Sequence, residues 1–128
     1  MIQKTINPVG SIYSAEDYAH ALEVTDARRW LYVSGTMGLD LEGRAPPDLD
    51  RQLELIWRNI GAVLTEAGMT VDHVVRVTSY LTRAEYAAAN QEARLRALGG
   101  RRVPTTAIVA GTLDPTWWVE VEVIAAAG

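Results

Sequence analysis

Only two stretches of this chain carry the three-and-four spacing of an amphipathic helix, and that limits how its strands can be covered. The first stretch places Leu49, Leu53, Ile56, Ile60, Val63, Leu64 and Ala67 on one face, the pattern of a buried helical stripe. Asp48 or Asp50 suits the cap of this helix, where carboxylates are favoured. Gly68 is suited to end it in a left-handed conformation. The second stretch starts at Thr82-Arg83-Ala84-Glu85, which reads as a capping box. It runs to about Leu98, with Tyr86, Ala89, Ala93 and Ala97 on one side, and Gly99-Gly100 stops it. Two helices can cover one face of a sheet. The chain offers nothing further for the other face, so self-association is the economical way to close it.

The remaining apolar segments read as strands. The first with strand character is Ala19 to Val24, followed by a polar turn over Thr25 to Arg29. Trp30 to Gly35 is aromatic and β-branched, as strands prefer. Leu39 to Pro47, with Gly43, Pro46 and Pro47, reads as a surface loop. Val74 to Leu81 alternates. Pro104 bars the middle of a sheet, so the next strand begins at about Thr105. Leu113-Asp114-Pro115-Thr116 signals a turn, and Trp117 to Ile124 is the last strand. The order is strand-strand-strand, helix, strand, helix, strand-strand, within one domain spanning 1–128.

The last strand is the most informative. Val119, Val121 and Val123 point one way, under the helices, while Trp118, Glu120 and Glu122 point the other. The two carboxylates then stand about 7 Å apart on one face. If that face meets water, this is ordinary half-buried alternation. If it meets another subunit, the carboxylates lose water, and one can serve as general acid or base near neutral pH.

Composition narrows the chemistry. With 48% hydrophobic and 22% charged residues among 128, the chain can bury a core, and disorder is excluded as a default. Cysteine is absent, which removes disulfides, thiolate metal sites and cysteine nucleophiles. Only His20 and His73 are present, which argues against a multi-histidine metal centre in one chain. A net charge of −4 argues against a general nucleic-acid binder. The start, Met1 to Pro8, does not read as a signal peptide, and no stretch is apolar enough to span a bilayer. A soluble cytoplasmic protein is expected. Gly35-Thr36-Met37-Gly38 lacks the lysine and helix of a phosphate-cradling loop. Dinucleotide, zinc and serine-elbow signatures are missing too.

Several fragments, in order, resemble the Rid family, also called YjgF/RidA-like proteins. Tyr18-Ala19-His20-Ala21 is similar to the family's Tyr-Ser-x-Ala. Val33-Ser34-Gly35-Thr36 is similar to its Val-Ser-Gly-Gln. Gln52, followed by the run from Asn59 to Gly68, resembles its first helix. Val74 to Leu81 resembles its central strand, and Asn90 falls on the asparagine of its second helix. Val119 to Ala125 resembles its closing Ile-Glu-Ile-Glu-x-Ile-Ala. The resemblance implies a chorismate-mutase-like α+β fold with a mixed β-sheet and two helices on one face. It implies a homotrimer with an inner barrel and clefts between subunits. Well-studied members hydrolyse enamines or imines, such as 2-aminoacrylate, to a keto acid and ammonia, without a cofactor.

One departure stands out. Deaminating members carry Pro-x-Arg at the start of the penultimate strand, where the arginine pairs with the substrate carboxylate. This chain reads Pro104-Thr105-Thr106, and a threonine hydroxyl gives one donor and no charge. A substrate that is neutral, or that bears its carboxylate elsewhere, is expected. Arg101 and Arg102 lie just upstream and either reach the cleft or are solvated loop residues.

The resemblance assigns the remaining roles. Glu120 orients the attacking water or shuttles a proton, unless it is a structural carboxylate at the trimer axis. Tyr18 donates a hydrogen bond or simply packs, and His20 shares its parity. Ser34, Asn90, Thr105 and Thr106 line the cleft, and Trp118 walls it or fills the trimer core. Glu122 reads as structural and His73 as exposed. The resemblance implies a small-molecule substrate and an imine or enamine hydrolase, or a related tailoring enzyme. The alternative is a non-catalytic trimer that binds a metabolite or a protein. Ribonuclease activity, described for some members, is the poorest fit to the acidic balance. No metal, nucleic acid or membrane partner is expected.

Overall fold

The computed structural model describes residues 1–128, arranged in two sheets and two α-helices. In chain order these are β1 (Ile2–Ile6), β2 (Ala21–Thr25), β3 (Arg29–Met37), α1 (Leu49–Glu66), β4 (Val74–Leu81), α2 (Ala87–Ala97), β5 (Thr105–Val109) and β6 (Val119–Ala127). Short 3-10 turns precede β4 and α2. Strands β1 and β2 form an antiparallel pair. The other four line up as β3-β6-β4-β5, antiparallel except for the parallel β4/β5 pair. A parallel pair needs a long crossover, and α2 supplies it.

Helix α1 forms where its apolar spacing and end signals agree. Asp48 caps it, its side chain accepting from the Arg51 N–H at 3.2 Å. At the other end the Gly68 N–H bonds to the Thr65 carbonyl and the Met69 N–H to the Leu64 carbonyl. Gly68 takes φ +71° there, as this terminator requires. Leu53, Ile56, Ile60 and Leu64 are fully buried, each contributing about 1.5–3 kcal/mol of burial. They pack against Val77, Val119, Val121 and Val123, so one sheet face carries the core. Helix α2 joins through Tyr86, Ala89, Ala93 and Ala97. Both helices lie on this face. On the other, Tyr32 is 73% exposed and Trp30 49%.

Several expectations change. β1 lies ahead of the first segment with recognisable strand character. Its Ile2-Gln3-Lys4-Thr5-Ile6 lacks clean alternation, and only pairing with β2 makes it a strand. β6 starts two residues later than expected and runs on through Ala127. The capping box at Thr82 does not form. The Thr82 hydroxyl donates instead to the Trp118 carbonyl at 2.8 Å, and Arg83, whose side chain makes no capping bond, precedes the turn. A capping box forms at Thr70 and His73, where Nδ1 of His73 accepts from the Thr70 N–H at 2.9 Å. His73 is thus partly buried rather than exposed. Arg101 is not solvated either. It donates to the Val71 and Val74 carbonyls and to Gln3 Oε1, tying β1 to the foot of β4.

Gln52 shows why a polar residue sits inside α1. It is buried and donates to the Pro46 and Thr116 carbonyls at 2.9 and 3.0 Å, while its Oε1 accepts from the Trp118 N–H at 3.1 Å. Asn59 holds the chain after β3 in the same way, through the Met37 and Leu39 carbonyls.

Candidate functional site

Glu120 stands on the sheet face turned away from the helices, paired in register with Met37 of β3 and Tyr80 of β4. The β3/β6 register slips between Val33 and Thr36, a local irregularity of the kind found beside functional sites. Gly35 sits in that slip. A Cβ there would overlap the Glu120 carboxylate, so the missing side chain makes room for it. Ser34 is exposed on the same strand.

Tyr80 and Glu122 flank this position. The Tyr80 hydroxyl donates to Glu122 Oε1 at 2.6 Å. That bond, followed by burial, raises the phenol above its ordinary range. Tyr80 therefore commits Glu122 to a structural bond, while Glu120 has no such partner.

Tyr18, Asn90, Thr105 and Thr106 meet elsewhere, lining an open groove of about 410 Å³ beside β5. The Tyr13 side chain and then burial hold the Tyr18 phenol above its ordinary range. His20 packs edge-on against Tyr18, with ring centroids 5.7 Å apart. Its Nε2 lies 2.7 Å from the Tyr13 carbonyl, so that nitrogen donates and His20 acts as a brace. Thr105 turns its hydroxyl to the Val103 carbonyl at 2.9 Å. Asn90 is buried, and its Oδ1 has no partner.

Arg94, also in the groove, escaped the sequence reading. It is 2% exposed and grips Asp17 twice, through the backbone carbonyl at 2.8 Å and Oδ2 at 2.6 Å. Burial lowers its pKa, and the Asp17 charge opposes that shift. The pair pins the segment carrying Tyr18 onto α2. Its only sequence signal was an arginine four residues after Asn90 on a helix.

Trp118 is placed apart from both groups. It precedes β6, with its ring 6.1 Å from that of Tyr86, in a recess of about 360 Å³ that also includes Thr112 and Asp114. A roomier groove between α1 and α2, about 470 Å³, holds none of the expected site residues. One chain thus gathers Tyr18, Asn90, Thr105 and Thr106, and leaves Glu120, Ser34 and Trp118 outside that group.

A mixed sheet with two helices on one face and polar groups on the other defines the class. Residues 10–127 match the family described as Endoribonuclease L-PSP. The chain belongs to this family, within which the Rid and YjgF proteins fall. It is 35% identical over 88 residues to the RutC family protein YjgH of Escherichia coli, covering 66% of this chain and 65% of that one. It is 35% identical over 66 residues to a RutC family protein of Aquifex aeolicus, covering 51% and 50%. The matches thus span less than two thirds of these relatives. The crystal structure of a Rid protein of unknown function, YyfB from Yersinia pestis, superposes with TM-score 0.86 at 24% identity, covering 99% and 100% of the two chains. RidA from an Antarctic Psychrobacter gives 0.72 at 25% identity, covering 97% and 99%. The fold is therefore the chorismate-mutase-like α+β fold of YjgF proteins. No helix is long and apolar enough to cross a membrane.

Proposed function

We propose that this protein is an imine or enamine hydrolase whose sites form between the subunits of a homotrimer. The observation that carries this reading is Glu120, a carboxylate given its own space by Gly35 on the sheet face that the helices leave open. Family membership supports it. So does the separation of Glu120 and Ser34 from the Tyr18, Asn90, Thr105 and Thr106 group within one chain, which a neighbouring copy would bring together.

In this reading a C=N compound enters the groove of Tyr18 and Asn90. Water adds to the imine carbon, its oxygen forming the new C–O bond, and Glu120 takes a proton from that water. Returning the proton to nitrogen gives a carbinolamine, and passing the new hydroxyl's proton to the nitrogen as well lets the C–N bond break as the carbonyl forms. The products are a carbonyl compound and ammonia, with one water consumed and no electrons exchanged. Tyr18 donates a hydrogen bond that orients the substrate. Ser34, Thr105 and Trp118 help to line the assembled cleft.

The test generates imines in situ from several amino acids with an oxidase and follows ammonia release with and without the protein. Faster release is expected, together with its loss in Glu120→Gln. Equal rates for every imine, with metabolites still bound, would favour a non-catalytic binding trimer. Light scattering at micromolar concentration should give three times the 14.0 kDa chain mass; a stable monomer would remove the inter-subunit site.

A further inference from the structure

Arg76 is the one cationic strand residue on the sheet face turned away from the helices. Arg29, the other arginine in these four strands, turns to α1 and donates to the Ala67 carbonyl at 2.8 Å. Arg76 instead crosses from β4 to the edge strand. Its Nη2 donates to the Thr106 hydroxyl at 2.9 Å.

The guanidinium is not neutralised within the chain. Glu122 lines the same recess of about 260 Å³ as Arg76, but takes its hydrogen bond from Tyr80. The ion pairs of the chain use Arg51, Arg83, Arg94 and Arg96, and Arg76 is in none. A guanidinium has five N–H donors in a planar fork, and the bond to Thr106 leaves most of them free. Thr106 also lines the groove of Tyr18 and Asn90, so its hydroxyl holds the guanidinium next to a residue of that groove. A fixed, always-charged fork beside a groove-lining residue fits a planar oxyanion, which it can hold by two parallel bonds.

We infer that Arg76 anchors a carboxylate on the ligand of this groove, with the Thr106 hydroxyl holding the guanidinium in place. The positive charge that position 106 lacks is supplied from the neighbouring strand. Of the two alternatives that Thr106 leaves open, a neutral substrate or one with its carboxylate elsewhere, this favours the second. Taking the ligand to be a 2-imino acid rests on the hydrolase reading; the anion anchor itself does not.

The experiment compares matched imines made in situ, one from phenylalanine with an amino-acid oxidase and one from phenethylamine with an amine oxidase. They differ by the carboxylate. In Arg76→Gln the ratio of kcat/KM for the carboxylated over the neutral imine should fall about tenfold or more, the worth of one charge-assisted pair. Arg76→Lys should fall between, since an ammonium keeps the charge and loses the fork. In parallel, benzoate is titrated into the full-length protein and followed by NMR. Wild type should saturate at concentrations where Arg76→Gln shows no shift. Circular dichroism and light scattering establish that the variant is folded and assembled like wild type, so that the comparison reads the anchor and not the assembly. A selectivity ratio unchanged by Arg76→Gln overturns the anchor. If neither imine is hydrolysed, the hydrolase reading falls and benzoate alone decides. Equal binding by both proteins, or none by wild type, then overturns the anchor.

Discussion

The hydroxyl of Tyr80, the register partner of Glu120, reaches diagonally across the β4/β6 ladder to the carboxylate of Glu122 at 2.6 Å. This bond separates two glutamates that strand alternation alone presents as equivalent. One is engaged and the other is open.

That bond predicts a pH signature. The Tyr80 phenol is raised because its protonated form donates to Glu122. Its folded value exceeds its unfolded value of about 10, so the bond's contribution is fully present below about pH 10 and is lost as pH rises through the raised value. Glu122→Gln should bring the Tyr80 titration down. Phenolate absorbance, with Tyr80→Phe as the blank among five tyrosines, reads the change. An unaltered curve would show that the bond does not form in solution.

Gly35→Ala should separate stability from activity. The new methyl group displaces the tip of a flexible side chain, Glu120, rather than backbone. The folding cost should stay near the off-rotamer range of about 0.5–1.5 kcal/mol, while imine hydrolysis falls as steeply as in Glu120→Gln. Urea unfolding and ammonia release on the same sample check both halves.

Asp17→Ala should cost about 3 kcal/mol, because it leaves the buried Arg94 charge without its partner. Adding Arg94→Met should restore part of that loss. A double variant no more stable than Asp17→Ala would mean that lost packing, not the stranded charge, dominates.

Gln52→Leu should cost about 2–3 kcal/mol, since it strands the Trp118 N–H and two loop carbonyls for a side chain of similar volume. Thermal unfolding at fixed protein concentration measures this. A change under ~0.5 kcal/mol would mean that water replaces the bonds.

The sequence made α1 readable because its spacing, Asp48 and Gly68 all agree. β6 was readable from Val119, Val121 and Val123 alternating with Glu120 and Glu122. β1 was not, because its stability comes from the distant β2. Thr82 misled because a neighbouring carbonyl competes for its hydroxyl, which local pattern cannot reveal. The grouping of Tyr18, Asn90, Thr105 and Thr106 followed from resemblance rather than periodicity. Arg94 and Arg76 passed unnoticed for one reason: an arginine on a surface element ordinarily reads as solvated, and only partners 77 and 30 residues away give these two a role.

The three bonds of Gln52 have a mechanical consequence. They clamp the 39–47 loop and the hairpin-like turn before β6 to a single side chain, so the two cannot loosen independently. A protease nick near Pro46 would slacken Trp118, whose amide Gln52 grips from 66 positions upstream. Breathing at one end of the molecule would thus be felt at the root of the strand that carries Glu120.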